Sequence, residues 1–185
     1  MTQTSHRPDQ LDIRSFAQEG AQLSGNLLLS KLERLAQDLY RLDANLASKT
    51  VQWTARGSVM PISSGVAQQW LHVNIGLRAP MQCQRCLEAV ELPVQIERDF
   101  RFVKNEEEAN AQDDEAEEEL LVISKQFDLL ELIEDEIIMA LPMVPLHETC
   151  PKKVKLASSS EDFEAALGEK PNAFAVLGVL KKAKP

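Results

Sequence analysis

The sequence predicts an α+β fold: a small antiparallel β-meander, open to curling toward a barrel, covered by helices and carrying an acidic surface loop and a C-terminal helix. Three observations predict it. Apolar residues alternate with polar ones in three consecutive stretches, which is the period of strands with one buried face. Two other stretches repeat apolar residues at helical spacing behind a capping signal. The strand-like stretches follow one another with short connections, as in a meander.

Residues 1–10 are expected to be a disordered start, followed by the α+β domain over 11–150. A helix is expected from Ser30, where S-K-L-E has capping-box spacing to Glu33 and Leu32, Leu35, Ala36, Leu39 and Leu42 follow at helical period. The period then changes. Val51, Trp53, Ala55 and Val59 alternate with Gln52, Thr54, Arg56 and Ser58, and Leu71, Val73, Ile75, Leu77 and Ala79 alternate with His72, Asn74, Gly76 and Arg78. A third strand is expected over Val90 to Val103, with Val94, Ile96, Phe100 and Phe102 on one face. An acidic loop at 105–119 interrupts the sheet, and Leu120 to Ile123 returns as a short fourth strand. Asp128 opens a second helix in D-L-L-E, with Leu130, Ile133, Ile137 and Leu141 on one side. Glu131, Glu134 and Asp135 lie on another side and are read as solvated; Pro142 ends the helix. L-P-M-V-P-L-H-E-T-C-P is extended, and 151–185 form a linker and helical tail. Within that tail, residues 161–169 are expected to make a short helical turn and 172–182 a terminal helix with Phe174, Leu177 and Leu180 on one face.

With 185 residues and 44% hydrophobic content, the chain can bury one core with a tail attached. No stretch approaches the roughly 20 apolar residues of a membrane span, and M-T-Q-T-S-H-R-P-D-Q lacks an apolar signal region. Three cysteines suit a reducing compartment, so a cytoplasmic protein without a membrane partner is expected. The net charge of −9 is concentrated: E-E-E-A-N-A-Q-D-D-E-A-E-E-E, from Glu106 to Glu119, holds nine acids, and the remainder is balanced. Such a run is a solvated loop on the plainer reading, and a mimic of RNA or a lure for basic proteins on the sharper one.

The strongest chemical constellation is sulfur-based. Cys83 and Cys86 in C-Q-R-C pair with His147 and Cys150 in H-E-T-C to offer a Cys3His ligand set for a structural zinc, although roughly 60 residues separate the pairs. Four ordinary residues with buried thiols are the plainer alternative. A redox reading of C-Q-R-C lacks the helix N-terminus that would lower a thiol pKa. No phosphate-cradling glycine loop, G-x-S-x-G or H-E-x-x-H is present, so the expectation is a non-enzymatic protein with no small-molecule substrate. R-D-F-R-F-V-K resembles the aromatic motif of RNA-recognition sheets, but it lacks the glycines, and Phe100 and Phe102 read as core. Arg78, Arg85, Arg98, Arg101 and Lys104, with Lys181 and Lys182 of the tail, remain as candidate RNA-contacting residues.

The segments C-Q-R-C-L-E-A-V-E-L-P-V, E-L-I-E-D-E-I-I-M-A-L-P-M-V-P-L-H-E-T-C and K-P-N-A-F-A-V-L-G-V-L-K occur in that order. Together with L-D-I-R-S-F-A-Q-E-G-A-Q-L-S-G near the start, they resemble the YceD family from about Leu11 to Lys182. The resemblance implies a factor required for accumulation of 23S-type large-subunit ribosomal RNA. Its implied partner is a ribosomal RNA precursor or a large-subunit ribosomal protein, and no catalysis is implied. An acidic adaptor for a ribosomal protein is the alternative, and a thiol or zinc enzyme a third class. The motif positions carried over are Cys83, Arg85, Cys86, Glu134, Asp135, Glu136, Pro142, Pro145, His147, Cys150, Pro171, Phe174 and Leu177. The family also carries cysteine where His147 stands, which suits a metal ligand because both residue types bind zinc.

Overall fold

A computed structural model describes residues 6–40, 48–61 and 67–152, with the single positions 158, 160, 163 and 174. Contacts divide the chain into a unit Met1–Thr149 and a unit Cys150–Pro185. The helices expected over 161–169 and 172–182 lie outside the described residues apart from isolated positions, as do Leu42, Lys181 and Lys182.

The first unit runs α1 (Ile13–Gln18), β1 (Gln22–Leu28), a 3-10 turn (Leu29–Lys31), α2 (Leu35–Asp38), β2 (Thr50–Pro61), β3 (Ala67–Gln82), β4 (Ala89–Val103), α3 (Glu106–Gln112), β5 (Glu119–Val122) and α4 (Leu129–Ala140). The strands form one open sheet in the order β1-β2-β3-β4-β5, antiparallel except where β5 joins β4 in parallel. The meander of β2, β3 and β4 stands where alternation places it. The sheet remains open rather than closing into a barrel.

One face of the sheet carries the core. Ala55, Val73 and Arg98 share a row, as do Trp53, Ile75 and Ile96, and Leu71 lies opposite Phe100. Except for Arg98 these residues are buried, under Ile13 and Phe16 of α1 and Leu129, Ile133 and Ile137 of α4. Helix α1 starts at Asp12, whose carboxylate accepts from the backbone N–H groups of Arg14 and Ser15, and α4 starts in the same way at Asp128. Leu11 and Phe127 exchange backbone hydrogen bonds of 2.8 and 3.0 Å, tying the two helix entries together. Of the start expected to be disordered, residues 6–10 are placed, and Pro8 accepts a hydrogen bond from the Leu129 N–H. Gly57 lets α1 approach: a Cβ there would lie 2.7 Å from the Phe16 carbonyl oxygen and 2.9 Å from the Ala17 Cα.

Three expectations are corrected. The helix expected from Ser30 is instead a 3-10 turn and the single turn α2, although Leu29, Leu32, Leu35 and Leu39 are buried as a helical stripe would be. The acidic loop contains α3, because Asn105 caps it by accepting from the Glu108 N–H and Glu106, Glu107 and Glu108 occupy its first turn, where the helix dipole favours anions. The acids of α4 are not a solvated stripe. Glu134 is only 9% exposed; its Oε1 accepts from the Arg34 and Leu35 N–H groups at 2.9 and 3.0 Å, and its Oε2 from Arg34 Nε at 3.2 Å. Asp135 takes the other end of the Arg34 guanidinium at 2.6 Å. Glu136 is 2% exposed and lies 3.4 Å from Arg98 Nε, and its Oε1 has no hydrogen-bond partner among the described residues.

Glu134 therefore holds α2 against α4. Glu134→Ala should cost about 2 kcal/mol in denaturant unfolding by stranding two N–H groups, and Glu134→Gln, which keeps an acceptor, should recover most of it. Gly57→Ala should cost about 1–3 kcal/mol, because backbone rather than a movable side-chain tip meets the added carbon. Burial pushes the Glu136 carboxyl above its usual 4.5, Glu119 pushes it the same way, and Arg98 opposes them. A raised carboxyl favours folding while protonated and loses that contribution as the pH rises through its folded pKa. Glu136→Gln should thus gain stability relative to the natural protein as the pH climbs from 4.5, in melting curves recorded across that range.

Candidate metal centre

The cluster is built where two segments meet. Strand β3 ends at Gln82, and the chain turns sharply: the Leu87 N–H reaches the Cys83 carbonyl at 2.8 Å, and the Cys83 N–H reaches the Glu88 carbonyl at 2.9 Å. Leu87 sits at φ 62, a left-handed conformation that closes this turn. The second segment follows α4. Its chain is extended from Leu141, and the Pro145 carbonyl accepts the Gln84 N–H at 2.9 Å, which lays His147 alongside the turn.

There the His147 N–H points at Cys83 Sγ at 3.4 Å, and His147 Nδ1 lies 3.4 Å from Cys86 Sγ. His147 Nε2 lies 3.0 Å from the Ala89 carbonyl, which can only accept, so Nε2 carries the proton and the Nδ1 lone pair faces the sulfurs. Cys150 follows three residues later. One ligand atom from each of Cys83, Cys86, His147 and Cys150 lies within 4.8 Å of every other. Burial raises the pKa of the Cys83 thiol, but the backbone N–H groups of His147, Cys86 and Arg85 outweigh it and bring the value down to about 5. These donors favour a thiolate, the form that binds metal.

The donor set fits a tetrahedral ion. Metal–sulfur bonds of about 2.3 Å and metal–nitrogen bonds of about 2.0 Å imply ligand–ligand edges of roughly 3.5 Å, close to the separation of Cys86 and His147. The hydrogen bond from His147 to Ala89 is the outer support that fixes the tautomer of a ligating imidazole.

The candidate RNA-contacting residues do not form one patch, because alternation divides them. Arg78 lies on the open polar face and pairs with Glu91 at 3.4 Å, whereas Arg98 points to the helix-covered side and pairs with Glu136. Arg85 is exposed on the cysteine turn, and Lys104 is exposed at the far end of β4. Arg101 is withdrawn: it is 7% exposed, with its guanidinium held by Glu118 and by Gln112 at 2.8 Å. Burial works against ionised Glu118, yet Arg101 keeps its carboxyl below the usual range. The polar face also assembles Ser58, His72 and Asp99, residues that no motif in the sequence connects.

These features define an α+β protein with an open mixed sheet and a Cys3His cluster beyond one end of its central hairpin. A family model described as "Large ribosomal RNA subunit accumulation protein YceD" matches residues 71–181, from β3 through the cluster and into the tail. The chain belongs to the YceD family. It is 27% identical over 178 residues to a Haemophilus influenzae protein named Large ribosomal RNA subunit accumulation protein YceD, with 95% of this chain and 96% of that protein covered. No solved structure matches. No described helix is long and apolar enough to cross a membrane.

Proposed function

We propose that this chain is a cytoplasmic factor required for accumulation of 23S-type ribosomal RNA during large-subunit biogenesis, a role that involves no catalysis, and that its Cys3His cluster holds a structural zinc. The observation that carries the ribosomal reading is the family match over residues 71–181, supported by similarity along nearly the whole chain to a relative named for that role. The zinc reading rests on three sulfurs and one imidazole nitrogen within 4.8 Å of one another, with the other ring nitrogen turned to the Ala89 carbonyl. An ion there would cross-link segments 61 positions apart, Cys86 and His147, and so add folding free energy without opening a position for chemistry.

The partner is a precursor RNA, met through separate basic points rather than one stripe. Exposed Arg85 and Lys104 and the half-paired Arg78 and Arg98 can each take a phosphate, and Lys181 and Lys182 belong to the same proposal. The exposed glutamates in the first turn of α3 favour a second reading, an adaptor that holds a basic large-subunit ribosomal protein.

Deleting the gene should lower mature large-subunit RNA relative to small-subunit RNA in total RNA from exponential cells. A normal ratio at every growth temperature would remove the ribosomal reading. If RNA is touched directly, binding should fall steeply with salt, and Arg85→Glu should weaken it several-fold. Ribosomal-protein capture that survives nuclease and disappears when the α3 acids are neutralised would put the adaptor in its place.

Metal analysis of untagged protein should find about one zinc per chain, and a chelator should lower the melting temperature. Cys86→Ser should lose the zinc, and His147→Cys should keep it. Full zinc content in the Cys86→Ser protein would overturn the assignment.

A further inference from the structure

The polar face of the sheet carries a hydrogen-bonded relay far along the strands from the cysteine turn. Ser58 Oγ lies 2.8 Å from His72 Nε2, and His72 Nδ1 lies 2.5 Å from Asp99 Oδ1. The three residues come from adjacent strands, and the register makes the alignment. His72 stands directly opposite Asp99 on one side and Arg56 on the other, and Ser58 is one diagonal step further along β2. The direction of the relay follows from what each group can do. A carboxylate only accepts, so His72 Nδ1 carries the proton given to Asp99, and the Nε2 of the neutral ring accepts the Ser58 hydroxyl proton.

A hydroxyl held to a base, with that base oriented by a third group, is the arrangement that activates a serine. The relay lines a groove of about 620 Å3, shared with Gln22, Asn74, Glu97 and Arg56. The Arg56 guanidinium has no ion pair among the described residues. On the β1 side the pairing of β2 ends at Arg56 opposite Gln22, and the Gly57 N–H is given to the Ala21 carbonyl at 2.9 Å. Negative charge developing at a reacting carbonyl would fall to Arg56, which lines the same groove.

We propose that Ser58 is an activated nucleophile that accepts an acyl group from a small carboxylic ester, with His72 as general base, Asp99 as its positioning residue and Arg56 as the cation facing the oxyanion. Ser58 Oγ forms a bond to the acyl carbon as its proton passes to His72 Nε2. Collapse of the adduct breaks the carbon–oxygen bond to the leaving alkoxide or phenoxide, which takes that proton from His72. The ester's acyl group ends on Ser58, and an alcohol or phenol departs. The acyl-Ser58 ester is the product of this step, and its release needs a separate attack by water. The ribosomal role proposed above asks nothing of this centre, so either reading can fail alone.

The full chain is treated with a fluorophosphonate probe and, separately, with p-nitrophenyl acetate, and followed by intact mass and peptide mapping. One adduct per chain on Ser58 is expected with each reagent. Ser58→Ala should abolish it, and His72→Ala should slow it by about 100-fold or more at unchanged melting temperature. Asp99→Asn should slow it as well and move the His72 ring nitrogen resonances toward the other tautomer, a change that a purely packing role would not produce. Peptide mapping of the natural protein decides the matter even if a variant fails to fold. No adduct, an adduct on another residue, or equal rates in a folded His72→Ala protein would overturn the proposal.

Discussion

The pairing of β3 with β4, unbroken from Gln69 opposite Phe102 to Gln82 opposite Ala89, is the constraint on which the rest of the structure depends. Side chains alternate along both strands, so a slip of one residue would exchange every inward and outward group. The register holds because Leu71, Val73, Ile75 and Leu77 are all buried on one face, and a slip would replace them there with His72, Asn74, Gly76 and Arg78. The same pairing ends at the turn that presents Cys83 and Cys86. It also sets His72 against Asp99. Both candidate centres are thus consequences of one hydrophobic registration, reached at different points along the same hairpin.

Carboxylates of α4 supply a second layer of positioning. Glu134 satisfies N–H groups at the start of α2, so a segment about 100 positions earlier is held by a side chain that periodicity alone assigns to solvent. Glu136 lies beneath the same helix, facing Arg98 at a cost that burial imposes on its charged form. Where α4 ends, the extended chain delivers Pro145 and His147 to the cysteine turn. The segment from Glu131 to His147 therefore works as one device: its acids fix the helix, and the fixed helix aims His147 at the cysteine turn.

The parts of this fold legible in the sequence are those in which local pattern and tertiary need agree. Strands β2, β3 and β4 alternate because one face is covered and the other is wet, and Asp128 announces α4 through a local cap. What could not be read depends on distant partners. Strand β1, Gln22–Leu28, has Gly25 beneath the Trp53 ring where a side chain would otherwise mark a face. The leucines after Leu28 have helical spacing, yet they are buried by a 3-10 turn and one helical turn whose cap comes from Glu134. Arg101 reads as a surface cation because nothing in R-D-F-R-F-V-K shows that α3 and Glu118 will cover it. The grouping of Cys83, Cys86, His147 and Cys150 was legible because paired spacing survives a long insertion. The Ser58, His72 and Asp99 relay was not, because it exists only once the register across three strands is known.

The placement of the family's motif residues narrows where a partner could be recognised. Glu134 and Glu136 are spent on packing, Pro145 lends its carbonyl to Gln84, and Cys83 is wholly enclosed. Residues occupied in this way specify the scaffold and cannot also read an RNA surface. Arg85 differs. Its backbone N–H helps hold the Cys83 sulfur, while its side chain stands exposed between the two cysteines. A metal bound below would stiffen the turn and fix where that guanidinium projects, which reduces the ordering cost of engaging a phosphate. Arg78 and Arg98 already share their charge with Glu91 and Glu136, so each must give up a partner to gain one. Among the described motif residues, Arg85 is therefore the basic group through which a structural ion would be felt at the surface.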